Sequence, residues 1–258
     1  MRRVSLTAFV VLAVLSPARV WPEESATAKA AFNAYVTGVE ARLNREHASA
    51  GNILAPVDTA QLRRGEFVVE DLTPADDKKM DGALLHDWRG TAFIPGAKAA
   101  DFERVMKDFA AFPKYFAPQI LRASVLSQTG DHYVISMRVR QKHIITVVMD
   151  MDYDTTFARA DTGGYSISRS TRVVEIDSPG TPQERPLPPN QDHGFLWQMD
   201  NYWTYEERDG GLYIQIESVS LSRSIPAGLS WAIGPFIKSV PRESLEFTLR
   251  SACKAMRR

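Results

Sequence analysis

The chain has 258 residues, with 31 Lys and Arg against 31 Asp and Glu, so its formal net charge is zero. That balance provides no overall pull toward polyanions: nucleic-acid binding is disfavoured, and transient membrane contact is left to a local patch. The single cysteine, Cys253, excludes an intramolecular disulfide and reads as a small apolar side chain.

The chain opens with Arg2 and Arg3, an apolar stretch Leu6 to Leu15, and the small residues Ser16-Pro17-Ala18. This pattern predicts a signal peptide over residues 1–18 and a periplasmic or secreted protein. The apolar stretch is too short for a bilayer, which needs about 20 residues. Residues 19–82 are expected to form an N-terminal extension. In it Phe32, Tyr35, Val36, Val39 and Leu43 recur at helical spacing, and that stripe is expected to pack on its own domain. A short strand at Glu66 to Leu72 and a charged loop to Gly82 complete the extension.

The main domain is expected over residues 83–258. LLHDWRGTAFIPG reads as a strand closed by Pro95-Gly96, with His86 and Trp88 on one face and Arg89 on the other. Phe102, Val105, Met106 and Phe109 mark a helix, and FPKYFAP a further helical turn. Strands follow at about 120–127, 132–141, 144–157 and 165–176. Residues 178–193, rich in proline, form a long loop. The run from Gly194 then alternates about Asp209-Gly210, a two-residue hairpin signal. With Arg208 opposite Gly211, one face carries Trp197, Met199, Asn201 and Trp203 with Ser218, Ser220 and Ser222. The other face, from Gln198 to Glu206 and Tyr213 to Leu221, suits a mostly solvated surface. Leu229 to Met256 is helical in pattern, with a bend or break expected at Gly234-Pro235 and Pro241.

This order resembles the helix-grip fold of the SRPBCC superfamily, whose START-like members include lipid carriers, polyketide cyclases and coenzyme-Q-binding proteins. The resemblance rests on IPGAKAADFERVMKDFAAFPKYFAPQILRASVLSQTGDHYVISMRV and on SIPAGLSWAIGPFIKSVPRESLEFTLRSACKAM. It implies an α+β fold in which a curved antiparallel β-sheet wraps around a long C-terminal α-helix, here with an N-terminal helical extension. An apolar ligand is then expected between sheet and helix.

Ligand-binding candidates are Trp197, Met199, Asn201, Trp203, Ser218, Ser220 and Ser222, joined by His86 and Trp88. The alternative for the aromatic face is ordinary core packing against the helix. The five histidines show no metal-ligand spacing, and no cofactor is expected. Asp150, Asp152 and Asp154 lack the Gly and distal Glu of a calcium loop, and they are expected to pair across strands with Arg138, Arg140 and Lys142. Arg169 and Arg172 are separated by an odd spacing and cannot share a face of a regular strand. No nucleophile elbow or phosphate-binding Gly loop occurs. The leading expectation is an exported carrier of a hydrophobic small molecule or lipid. Its rivals are a cyclase- or aromatase-like enzyme on the same fold and an envelope interaction module. N-terminal sequencing of exported protein should find Arg19 first; a retained Met1 in alkali-resistant membranes would mark an anchor instead.

Overall fold

The computed structural model describes residues 24–49, 53–75, 79–80, 82–142, 146–188, 191–224 and 230–257. The expected signal segment lies outside the described residues. Among the described residues five α-helices are α1 (Ala26–His47), α2 (Thr59–Arg63), α3 (Ala99–Lys107), α4 (Phe112–Tyr115) and α5 (Ser230–Met256), with a short 3-10 turn at Phe109–Ala111. The strands are β1 (Val68–Asp71), β2 (Lys79–Met80), β3 (Ala83–Pro95), β4 (Ile120–Thr129), β5 (His132–Lys142), β6 (Thr146–Ala160), β7 (Gly163–Asp177), β8 (Arg185–Pro186), β9 (Gln198–Arg208) and β10 (Gly211–Arg223). They form one antiparallel sheet in the order β1-β3-β10-β9-β7-β6-β5-β4, with β2 beside β3 and β8 beside β7.

The β9–β10 hairpin has the register expected from alternation, with Tyr205 opposite Ile214, Trp203 opposite Ile216, Asn201 opposite Ser218 and Met199 opposite Ser220. Its turn residues Asp209 and Gly210 both take positive φ, 54° and 76°, as a two-residue hairpin demands. Alternation sorts the side chains onto two faces. The concave face carries Ile94, Phe157, Trp203, Tyr205, Ile214 and Ile216, which join Phe102 of α3 and Leu245, Leu249 and Cys253 of α5 in the main core.

Helix α5 lies across that concavity. At one side it meets β3 at Gly90, where a Cβ would stand 2.6 Å from Leu249 Cδ1 and 3.0 Å from Leu245 Cδ2. At the other it reaches β5, where Gln141 Nε2 donates to Ser244 Oγ at 3.3 Å. A sheet that touches one helix from both sides is the helix-grip arrangement, and α5 runs through Gly234-Pro235 and Pro241 as a single element, where a bend or break was expected.

The convex face differs from expectation. Tyr202 and Glu217 are each 2% exposed, and Asp87, Thr204, Glu206, Gln215 and Tyr213 are buried with them. Helix α1, capped by Ser25, covers this face with Phe32, Val36, Val39 and Leu43 against Leu85, Tyr202, Val219 and Leu221. Beyond the helix, Leu54 and Leu62 cover Phe93 and Tyr213. Alternation identifies residues that share a face; it cannot say that water is what meets them.

Between β7 and β9 backbone pairing stops at Arg169 opposite Asp200. There Ser170 N donates to Asp200 Oδ1 at 3.0 Å and Met199 N to Ser170 Oγ at 2.9 Å, so side chains replace the next rung. Gly90→Val should cost about 1–3 kcal/mol by overpacking α5, lowering Tm by about 3–10 °C. The loss should shrink in a Leu249→Ala background, measured against that variant alone.

Candidate ligand-binding face

The concave face changes character along the strands. One row across the sheet is apolar, with Phe157, Trp203 and Ile216 beside Ser166 and Gly90. The next row reads Tyr133, Thr155, Ser168, Asn201, Ser218 and Trp88, taking β5, β6, β7, β9, β10 and β3 in turn. A third reads Ile135, Tyr153, Ser170, Met199, Ser220 and His86. Polar groups therefore enter the interior in a stripe, and much of it is internally bonded. Thr155 Oγ1 donates to Ser168 Oγ at 3.0 Å, and Asn201 bonds the fully buried Tyr153 phenol, whose pKa burial pushes above the usual 10.0. Ser222 Oγ stands 3.4 Å from His86 Nε2. The hydroxyls of Ser166, Ser218 and Ser220 have no hydrogen-bond partner among the described residues; Ser218 is half-buried and Ser220 8% exposed.

The structure thus brings Met199, Asn201, Ser218, Ser220, Ser222, His86 and Trp88 onto one face. Trp203 shares that face but is 4% exposed, with its ring edge-on to Phe102 at 5.4 Å, in the packed end beneath α3. Trp197 is a correction. It precedes β9, packs with the α1 cluster, and lies under the Arg223 guanidinium at 5.5 Å. The strand's alternation does not extend to it, because it lies before the first residue of β9. Thr155, Ser166, Ser168 and Ser170 belong to the interior as well. Their signal was a serine at every second position from 166 to 170.

The charged rows resolve differently from one another. Arg138 pairs with Asp150 through two bonds of 2.7 and 2.9 Å, but Asp152 meets Arg172 at 3.5 Å and Asp154 meets His132 at 2.9 Å. Arg169 and Arg172 both serve the convex face despite their odd spacing, because β7 bulges between Ser170 and Arg172. No group of three or more His, Cys, Asp or Glu side chains suited to a metal ion occurs among the described residues. A cavity of about 680 Å³ opens elsewhere, beside the start of α3. Four of its nine lining residues are charged, with Arg159 bonded to Glu103 at 2.8 Å and Glu207 to Ala99 N at 2.7 Å, which suits it poorly as a seat for an apolar molecule.

No family model and no curated protein matches the chain. Among solved structures it is similar to the STAR-related lipid transfer protein of Xanthomonas axonopodis, at 19% identity over 74% of this chain and 99% of that one, TM-score 0.45. It is also similar to the Zhui aromatase/cyclase of Streptomyces sp. R1128, at 11% identity over 67% and 94%, TM-score 0.47. Human STARD10 is similar at 11% identity over 81% and 82%, TM-score 0.43.

The opposite face holds the most perturbed ionisable groups. Glu217 is raised from 4.5 to about 7 by burial first and by the nearby Asp87 second, against the opposing pull of Arg42, its ion-pair partner. Asp87 is raised to about 6 by burial, although it accepts the Tyr35 hydroxyl at 2.7 Å. Burial also raises Asp200 to about 6. His47 is lowered to about 4 by burial and by the charge of Arg42; its ring stacks on Tyr165 at 3.9 Å and its Nε2 meets Thr204 Oγ1 at 2.9 Å. The carboxyls hold protons in the fold that they release when unfolded, so their contribution is complete below about pH 4 and is lost as pH rises through 6 to 7. His47 acts the other way, but only between about 4 and its ordinary 6.5. Stability should therefore fall as pH rises from about 6 to 7, where the opposing His47 contribution is nearly complete, and level off above that, by at most about 1.4 kcal/mol per pH unit for each proton released. Glu217→Gln should flatten that slope in pH-dependent melting; an unchanged slope would place the titration elsewhere.

Proposed function

We propose that the protein is an exported carrier that holds a hydrophobic small molecule or lipid between the concave face and α5. The observation that carries this reading is the pair of Ser218 and Ser220 hydroxyls, which share the concave face with Trp88 and Met199 and have no hydrogen-bond partner among the described residues. Neither hydroxyl is a sealed-off polar atom, so each remains open to a bond, and a face that sets two such groups beside Trp88 and Met199 is suited to a ligand with a polar end. Apolar burial supplies most of the affinity, at about 25 cal/mol per Å², and the hydroxyls fix orientation.

Native mass spectrometry of protein purified from its own host should show a retained apolar molecule. Ser220→Ala removes the hydroxyl without adding bulk. It should leave the Kd of a purely apolar probe within about twofold and weaken an analogue bearing a hydroxyl or carbonyl by about 0.5–1.5 kcal/mol, roughly 2- to 10-fold. Equal effects on both probes, with no retained molecule, would make the serines structural and remove the carrier reading.

A further inference from the structure

The ends of α4 and α5 meet beside the start of the edge strand β4. There a small cavity of about 120 Å³ is lined by Lys114, Tyr115 and Ala117 with Ser251, Lys254 and Ala255. Its volume is room for about four waters, the scale of a phosphate group. Both lysines are exposed, and neither makes an ion pair among the described residues. Arg140, whose guanidinium donates to the Pro118 carbonyl at 3.2 Å, and exposed Arg257 add charge nearby without an acidic partner among those residues. The Asp108 carboxylate accepts the Tyr115 hydroxyl at 3.1 Å and is not part of the lining. A helix C-terminus favours each lysine separately. That preference does not bring two ammoniums to one cavity with no carboxylate between them, where they repel each other.

The adjoining strand has the opposite anomaly. Strand β4 bulges between Ile120 and Arg122 and again between Val125 and Ser127. The side chains at the bulges, Leu121 and Leu126, are 41% and 59% exposed, and Val125 is 44% exposed. Three of the four exposed large apolar side chains among the described residues therefore lie on this one edge. Unpaired cations beside protruding aliphatic side chains match the two layers of a bilayer surface, anionic headgroups above and acyl chains below.

We infer that this edge of the protein docks on an anionic lipid bilayer, with Lys114 and Lys254 clasping a headgroup phosphate at one end of β4 while Leu121 beside them and Leu126 further along the strand enter the interface. The inference stands apart from the carrier reading, since it concerns the outside of the molecule and needs no cargo. The full-length mature protein should co-sediment with phosphatidylcholine vesicles containing about one-third phosphatidylglycerol, far less with pure phosphatidylcholine, and less again as salt rises. Lys114→Gln with Lys254→Gln should weaken partition about 30-fold, taking about 1 kcal/mol for each lysine near the surface. Leu121→Ser with Leu126→Ser should also weaken it, and unchanged melting curves would show both variants folded. Absence of vesicle binding, or binding indifferent to the lysines, overturns the inference. So does protection of the lysines from amine-reactive reagent by inorganic phosphate but not by vesicles, which makes the cavity a site for free phosphate. A protein that binds anionic vesicles but no apolar probe would keep this inference and lose the carrier reading; the converse result would do the reverse.

Discussion

Everything on the outer side of the sheet depends on one electrostatic arrangement: carboxylates removed from water beneath α1 and answered by groups that the helix brings with it. Asp87 receives Tyr35, Glu217 receives Arg42, and Glu40 of the helix accepts both Arg169 at 2.6 Å and Tyr202 at 3.2 Å. Removing the helix's partner leaves the sheet's carboxyl, Asp87 or Glu217, buried without its donor, which costs far more than the pair's net contribution. The helix therefore cannot be regarded as an accessory laid on a finished sheet. One oxygen of each carboxyl, Asp87 Oδ1 and Glu217 Oε2, remains unpaired, and the burial behind this raises the pKa of both groups.

With both faces covered, the sheet's two sides carry different chemistry. The outer layer is closed by specific polar pairs set among α1's apolar stripe. The inner layer is closed at one end by Phe102, Leu245 and Leu249 against Trp203, Tyr205 and Gly90. Toward the other end the interior turns to serines and an amide. Close packing around Gly90 fixes where α5 must lie, and hence which rows remain for a guest. Trp203, large and aromatic, belongs to the closed end, whereas Ser218, Ser220 and Met199 lie one or two rows away.

Much of this was legible in the residues. Period-two alternation and the Asp209-Gly210 turn yielded the β9–β10 register, and the 3.6-residue stripe from Phe32 to Leu43 yielded α1 and the side it buries. What escaped was long-range. No local pattern told that α1 would land on the polar face of β9 and β10, since Arg42 and Glu217 are 175 residues apart in the chain. The placement of Trp197 failed because strand parity was carried past the first residue of β9. The pairing of Arg169 and Arg172 on one face depended on a bulge, which a count of residues cannot foresee. In each case the local rule held and the chain's path outside the regular element decided the outcome.

The missing rung between β7 and β9 has a consequence for how the molecule comes apart. Strand β7 shares twelve paired positions with β6 but only seven with β9, and past Arg169 the join rests on Asp200 and the Ser170 hydroxyl. The sheet thus divides into two blocks, the successive hairpins of β4 to β7 and the group of β3, β9 and β10, with the shorter ladder as their seam. Contiguous cooperative units separate where the fewest backbone bonds cross. The β7–β9 seam is accordingly the natural fault line of the sheet, and α1, which bridges it from Glu40 to both Arg169 and Tyr202, acts as the splint across it.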